Sequence, residues 1–207
     1  MIKAVIFDMD GVLISSKELH TEAWIKCLQE FNIIVKEYKY VTGISSIDVA
    51  QKYKQKYNLL ASPEEISNKK VNIYNTLAEK TELILGVVEF IRNIQTKYKL
   101  SLATSEYSKT TNIILSKHNL DKYFDLVVTV DDINQPKPNP EIYLKTAKEL
   151  KLKPSECIVI EDSVVGVEAA KSAGMKCIAI TTTTPRSKLK QADLIVDSFK
   201  EIDITNL

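Results

Sequence analysis

Short apolar runs alternate with amphipathic segments along most of the chain. The runs have the composition of strands buried on both faces of a parallel sheet: Ala4–Phe7, Leu100–Ala103, Leu126–Val130, Ile158–Ile160, Cys177–Ile180 and Leu194–Val196. The segments between them carry apolar residues at helical spacing: Val87–Tyr98, Lys109–His118, Glu141–Leu150 and Val164–Ala173. The alternation predicts an α/β fold, Rossmann-like, with helices on both faces of a parallel sheet.

The segment between Ser15 and Glu82 has a different pattern, with helical periodicity and no convincing strand. We predict helices over Glu18–Phe31, Ser46–Tyr57 and Pro63–Lys80, the last with Ser62 as its N-cap. A helical block after the first strand predicts a small all-helical cap, residues 15–84, inserted into a core of residues 1–14 and 85–207. Hinges are expected near Leu13–Lys17 and Thr81–Gly86.

Composition excludes several function classes. Lys and Arg number 28 and Asp and Glu 27, so the net charge of +1 offers no general attraction for nucleic acid or an anionic membrane. Three cysteines form no CxxC pair and are expected to be buried, as in a reducing cytoplasm. The N-terminus does not have the pattern of a signal sequence, and no apolar run is long enough to span a membrane. We therefore expect a cytoplasmic protein.

Chemically active side chains follow each of the first four predicted strands. Asp8 and Asp10 follow the first, Thr104 and Ser105 the second, Lys137 in "KPNP" the third, and Glu161 with Asp162 the fourth. Because ligands bind beyond the carboxyl ends of parallel strands, these residues are expected to meet at one edge.

The residue types at this edge point to phosphoryl transfer. The carboxylates of Asp8, Asp10, Glu161 and Asp162 repel one another, and a hard cation such as Mg²⁺ offsets that repulsion. Lys137 and the Thr104 hydroxyl are donors suited to phosphate oxygens, and backbone N–H groups of the turn at Met9–Gly11 would add more. Such a site suits phosphoryl transfer with one aspartate free to attack phosphorus.

Four motifs stand in a fixed order: "DMDGVL" (Asp8–Leu13), "ATS" (Ala103–Ser105), "KPNPEIY" (Lys137–Tyr143) and "EDSVVGVEAAKSAGM" (Glu161–Met175). In this the chain resembles the haloacid dehalogenase-like hydrolase superfamily over nearly its whole length. The resemblance implies that Asp8 is the nucleophile, forming an aspartyl phosphate, and that Asp10 is the general acid and base. It argues against dehalogenation, because that branch lacks an acid where this chain has Asp10.

The resemblance also implies the ligand contacts. Asp8, the backbone carbonyl of Asp10 and Asp162 would bind Mg²⁺, and Glu161 would bind it either directly or through water. Thr104 and Lys137 would hold the transferring phosphoryl group. The candidate substrate-binding residues are Thr104, Ser105, Gly11, His20 and Ser45.

Within the superfamily, the helical insert is similar to that of β-phosphoglucomutase and the sugar-phosphate phosphatases. "ELHTEAWIKCL" carries the His20 and Trp24 of that branch, and "TGISSIDV" resembles its specificity loop. His20 is a residue of the cap–core cleft or a buried core histidine, and Ser45 contacts substrate or caps a helix. Glu106 and Tyr107 are candidates to face the leaving group.

Three functions remain open at this stage. The first is a Mg²⁺-dependent phosphatase of a small phosphorylated metabolite, a sugar phosphate being favoured. The second is a β-phosphoglucomutase-type phosphomutase, which needs a cation in the cap; Ser46 and Thr42 stand where that branch is basic, and Lys17, Lys52 and Lys54 are the candidates. The third, a non-catalytic binding protein, is disfavoured by the intact acidic residues. The family analogy implies a monomer.

Overall fold

The computed structural model describes residues 1–35 and 44–206, and it contains a six-stranded parallel sheet. The strands of the described part of the chain are β1 (Ala4–Phe7), β2 (Ile14–Ser15), β3 (Glu82–Leu83), β4 (Lys99–Ala103), β5 (Leu126–Val128), β6 (Cys157–Glu161), β7 (Lys176–Ile180) and β8 (Leu194–Val196). The sheet has the order β5-β4-β1-β6-β7-β8, so β1 is central and pairs in parallel with β4 and β6. All six predicted strands are confirmed.

Helices lie on both faces of this sheet. Those of the described residues are α1 (Lys17–Glu30), α2 (Ser46–Tyr57), α3 (Pro63–Leu77), α4 (Val87–Ile94), α5 (Ser108–His118), α6 (Glu141–Glu149) and α7 (Val164–Ser172). Successive strand residues point to opposite faces: Val5 and Phe7 pack with α4 and α5, whereas Ala4 and Ile6 pack with α6 and α7. The predicted α/β fold is confirmed.

The first three helices form a block of their own beside the carboxyl edge of the sheet. Trp24 and Cys27 of α1, Ala50 of α2 and Ile66 of α3 share a small buried cluster. Ala23 of α1 and Tyr74 of α3 instead join the core cluster on one face of the sheet. All three cysteines are buried and free, as expected.

Four expectations about element boundaries need correction. The segment from Ser15 to Glu82 was expected to hold no strand, but β2 and β3 pair antiparallel at the two predicted hinges, with Ile14 opposite Leu83. A two-residue ladder has no periodicity to detect. The strand predicted to end at Val130 ends at Val128, because Val130–Asp132 forms a 3₁₀ turn. The helix predicted to reach Tyr98 ends at Ile94, and that predicted to reach Lys80 ends in a 3₁₀ turn from Ala78.

The segment around Thr81, where the chain returns from the helical block to the core, is the second crossing between them, and α5 makes hydrogen bonds to it. The Lys117 ammonium donates hydrogen bonds to the backbone carbonyls of Glu79 and Thr81, the latter at 2.6 Å. The Thr81 hydroxyl lies 3.0 Å from His118 Nε2.

Among the helices of residues 1–35 and 44–206, none has both the length and the apolar composition that crossing a membrane requires.

Candidate active site

The carboxyl edge of the sheet brings the strand-end side chains together as the sequence predicts. Asp8 follows β1, Thr104 follows β4 and Glu161 ends β6, while Lys137 comes from the loop before α6. These residues and Asp162 are all buried. Asp8, Asp10, Lys137 and Asp162 line one pocket between the sheet edge and the helical block, together with Ser16 and Ser163.

Lys137 is the cation at the centre of this edge. Its ammonium donates to Asp8 Oδ1 at 2.6 Å, to Glu161 Oε1 at 2.7 Å and to the Ala103 carbonyl at 3.3 Å. Burial lowers the pKa of Lys137, but the two carboxylates outweigh burial and hold that pKa above its usual range. Lys137 is therefore charged and positioned by both strands β1 and β6.

The Glu161 carboxylate is fully occupied by protein donors. Its Oε1 accepts from Lys137 and from the Tyr143 hydroxyl at 2.7 Å, and its Oε2 accepts from Asp162 N, Ser163 N and Ser163 Oγ at 3.0–3.2 Å. Burial raises the pKa of Glu161, but Lys137 and these donors bring it below the ordinary value. With its oxygens engaged, Glu161 is better suited to positioning Lys137 than to binding a metal directly.

Asp8 and Asp162 have the opposite electrostatic situation. Burial and the nearby carboxylates raise the pKa of Asp8 to about 8 although Lys137 lowers it, and burial, Glu161 and Asp8 raise the pKa of Asp162 well above its usual range. Oxygens of Asp8, Glu161 and Asp162 lie within 4.8 Å of one another. Among the described residues, Lys137 is the one positive charge beside these three carboxylates, so an oxygen-only, buried set with this excess of negative charge fits a hard divalent cation such as Mg²⁺.

Two glycines allow the backbone to pack closely against the carboxylates of Asp162 and Glu161. Gly11 has a φ of +78°, and a Cβ there would come within 2.2 Å of Asp162 Oδ2. A Cβ on Gly166 would lie 1.8 Å from Glu161 Oε1. The Thr183 hydroxyl, which follows β7, donates to Asp162. The sequence analysis names no site residue after the fifth predicted strand, and the structure brings Thr183 into the site.

Asp10 faces the helical block through a chain of hydrogen bonds. Its Oδ1 lies 3.2 Å from His20 Nε2, and His20 Nδ1 lies 2.9 Å from the Lys70 ammonium, which also donates to Ser46 Oγ at 3.3 Å. Since an ammonium only donates, Nδ1 accepts and Nε2 carries the proton that His20 donates to Asp10. Burial raises the pKa of Asp10, but the hydrogen bond from His20 brings it below the ordinary value.

Lys70 is a site residue that sequence reasoning missed. It is buried, and it lies on the same stripe of α3 as Ile66, Val71 and Tyr74. A lysine on the buried face of an amphipathic helix is the signal that could have found it. Of the cap lysines considered from the sequence, Lys17 lines the pocket, whereas Lys54 donates to the carbonyls of residues 59–61, which follow α2.

The other residues predicted to contact substrate differ in whether they line the pocket and in whether their polar groups are already hydrogen-bonded. Ser105 lines the pocket, whereas Thr104 is buried and is not among the lining residues, and its Oγ1 accepts from Glu106 N. Gly11 lines the pocket too, but its N–H donates to the Ile14 carbonyl at 2.8 Å, so the turn cannot offer that N–H to phosphate. Ser45 lines the pocket and also caps α2 through Asp48 N. Thr42 lies outside the described residues.

Glu106 also lines this pocket, on the side of Asp10 and His20. Its side chain is buried, and its Oε1 lies 3.7 Å from His20 Nε2. Tyr107, the second candidate from the sequence, precedes α5 and lines a neighbouring cleft with Ser45 and Ser46.

Comparisons with known proteins agree with this geometry. A family model described as haloacid dehalogenase-like hydrolase matches residues 5–180. A phosphorylated carbohydrates phosphatase of Thermotoga maritima is 32% identical over 183 residues, covering 86% of this chain and 84% of that protein. A fructose-1-phosphate phosphatase of Escherichia coli is 24% identical over 178 residues, covering 85% and 95%. A solved β-phosphoglucomutase of Clostridium difficile is 26% identical, with a TM-score of 0.86 and coverage of 100% and 95%.

Proposed function

The chain belongs to the haloacid dehalogenase-like hydrolase family, and we propose that it is a Mg²⁺-dependent phosphatase that hydrolyses a small sugar phosphate through an aspartyl phosphate on Asp8. The phosphatase class follows from the family and from its phosphatase relatives. The observation that carries the finer proposal is the buried contact of Asp8 with Lys137, 2.6 Å from Nζ to Oδ1, beside an oxygen donor set suited to a cation.

In the first half of the reaction, Asp8 would attack phosphorus. Its carboxylate oxygen forms the new P–O bond while the bond to the leaving oxygen breaks, and Asp10 gives that oxygen a proton. Lys137 orients Asp8, and the positive charge of its ammonium stabilises the charge on the phosphoryl oxygens. Mg²⁺, held by Asp8, the Asp10 carbonyl and Asp162, would supply positive charge against the phosphoryl oxygens.

In the second half, water would cleave the aspartyl phosphate. Asp10 accepts a proton from the water as its oxygen bonds to phosphorus, and the P–O bond to Asp8 breaks to release phosphate. The hydrogen bond from His20 and its partner Lys70 hold Asp10 toward the pocket. We assign these two residues to positioning Asp10.

We further propose that residues 15–84 act as a cap on a core of residues 1–14 and 85–207. The β2–β3 ladder pairs the two chain segments that connect the helical block to the core. Both the helical block and the sheet edge contribute pocket residues, such as His20 and Asp162. A substrate enclosed between them would be shielded from bulk water.

Phosphate release decides between this proposal and its rivals. Wild type would be assayed on sugar phosphates, nucleotides and phosphoglycolate, with and without Mg²⁺, beside Asp8→Asn and the exposed control Asp121→Asn. We expect Mg²⁺-dependent hydrolysis that falls about a thousandfold or more in Asp8→Asn and is unchanged in the control. Hydrolysis that persists in Asp8→Asn would refute the aspartyl-phosphate mechanism.

The phosphomutase stays as a second candidate, because Lys70 supplies a cation on the cap side beside Ser46. The same assay would include β-glucose 1-phosphate with a readout for glucose 6-phosphate. Isomerisation faster than phosphate release would establish the mutase and overturn the phosphatase proposal.

A further inference from the structure

We propose that Glu106 determines the charge of the leaving group: it favours an uncharged, hydroxyl-bearing leaving group and discriminates against one that carries a second anionic group. This inference rests on the proposed function, because it concerns the leaving group of the same site. Glu106 is neither the proposed nucleophile, Asp8, nor one of the residues proposed to hold Mg²⁺.

The backbone of Glu106 is held on both sides. Its N–H donates to Thr104 Oγ1 at 3.1 Å, and its carbonyl accepts from Val130 N at 3.2 Å. The residue is only 8% exposed, and it lines the pocket together with Asp10 and Lys70. Glu106 therefore forms part of the pocket wall, with its backbone held on both sides.

The carboxylate has unused accepting capacity. Its nearest basic group is His20 Nε2 at 3.7 Å, which is beyond hydrogen-bond distance, and that N–H is directed to Asp10. Within residues 1–35 and 44–206, no protein donor makes a hydrogen bond to the Glu106 carboxylate. The Glu106 side chain is 10% exposed where it lines the pocket, so its carboxylate can accept a hydrogen bond from a ligand hydroxyl that enters there.

The charges around this position explain the direction of the selectivity. Lys70 is the cation on the cap side, and both Glu106 and Asp10 favour its charged form against the effect of burial. Lys17 adds an exposed positive charge at the pocket, and His20 stands between Asp10 and Lys70. The Glu106 carboxylate offsets Lys70, so a second anionic group on the substrate would meet a side chain of like charge. Without that charge, Lys70 would be free to attract the anion.

The test compares substrates that share a carbon skeleton and differ in charge. The pairs are glycerol 3-phosphate with 3-phosphoglycerate, and fructose 1-phosphate with fructose 1,6-bisphosphate. The readout is the ratio of kcat/KM within each pair, measured for wild type, Glu106→Gln and Glu168→Gln. The last makes the same chemical change at an exposed residue of α7 that does not line the pocket.

We expect wild type to favour the member of each pair that lacks the second anionic group by about tenfold or more, and Glu106→Gln to reduce that ratio by about tenfold. The ratio should be unchanged in Glu168→Gln. Because both substrates are measured on the same protein sample, a partial loss of folded protein cancels from the ratio.

Two results would overturn the inference. One is an unchanged ratio in Glu106→Gln while both substrates are hydrolysed, which leaves the phosphatase proposal intact. The other is the absence of hydrolysis of every member of both pairs by wild type. In that case phosphate release from any other monoester, lost in Asp8→Asn, would show that the proposed function survives without this inference.

Discussion

At the scale of single residues, the adjacent acids Glu161 and Asp162 at the end of β6 differ in their hydrogen bonds and pKa values. Glu161 has every oxygen occupied by hydrogen bonds from Lys137, Tyr143 and the start of α7, whereas Asp162 keeps a raised pKa beside Asp8. Two adjacent acids that look equivalent in the sequence thus differ in accepting capacity. Of the two, Asp162 lines the pocket, whereas Glu161 does not.

Gly166→Ala tests how closely Glu161 is packed. The added Cβ would lie 1.8 Å from Glu161 Oε1, so the carboxylate must shift and its bond to Lys137 must weaken. We expect phosphatase activity to fall about a hundredfold, with a loss of about 2–4 kcal/mol in the free energy of unfolding. Phosphate release and urea unfolding would measure the two effects.

Gly174→Ala is the matched control for that substitution. Gly174 has a φ of +74° and open space around its Cβ position, so alanine there adds backbone strain without touching the site. It should cost about 1 kcal/mol of stability and leave kcat/KM unchanged. Equal activity losses in the two alanine variants would show that packing against Glu161 is not what matters.

At the scale of elements, α3 combines a structural stripe with a functional one. The sequence predicted an amphipathic helix starting at Pro63, and the Ser62 capping box confirms its start. The buried stripe also includes Lys70, beneath which Tyr74 and Trp24 lie within cation–π distance. A periodicity that scores apolar positions alone records such a lysine as a defect in the stripe, although it is the residue that reaches the pocket.

Lys70→Met separates activity from stability. Burial lowers the pKa of Lys70, which means that the fold disfavours its charge, and methionine keeps the length of the side chain without that charge. We expect kcat/KM to fall about tenfold or more while the protein unfolds at the same or a higher temperature. Lys69→Met, on the more exposed side of α3, should leave kcat/KM unchanged. Parallel losses of activity and melting temperature in Lys70→Met would contradict this interpretation.

The contact between α5 and the second crossing should make stability depend on pH. Burial and the neighbouring Lys117 lower the pKa of His118. A histidine whose folded pKa lies below its ordinary value of about 6.5 favours folding above that value and loses this contribution as pH falls through it. Wild type should therefore lose more melting temperature than His118→Gln between about pH 7.5 and about pH 5.5. Identical losses in the two proteins would rule out His118 as the cause.

At the scale of the whole molecule, the sheet and its carboxyl edge were predictable, and the meeting of cap and core was only partly so. Strands such as Ala4–Phe7 are continuous apolar runs, and parallel topology places whatever follows them at one edge. Lys70 reaches the pocket from a helix face, whereas Thr183 lies in the loop after β7, whose carboxyl end is at the same edge of the sheet. The sequence marks Lys70 as a lysine on a buried helix face, but tertiary packing decides which partners it contacts.

The acidic edge predicts how the metal and pH act together on stability. The pKa of Asp8 is raised from 3.8 to about 8, so without metal the folded chain holds a proton that the unfolded chain releases. The stabilisation from this site is complete at pH values below the unfolded pKa of 3.8, and it is lost as the pH rises toward the folded pKa of about 8.

Bound Mg²⁺ would replace that proton, so the increase in melting temperature on adding Mg²⁺ should be larger at about pH 9 than at about pH 6. Asp162→Asn, which removes one carboxylate of the set, should show little increase at either pH. Calorimetry with and without Mg²⁺ measures both quantities. An increase that is independent of pH, or that persists in Asp162→Asn, would mean that Mg²⁺ stabilises the protein somewhere other than this edge.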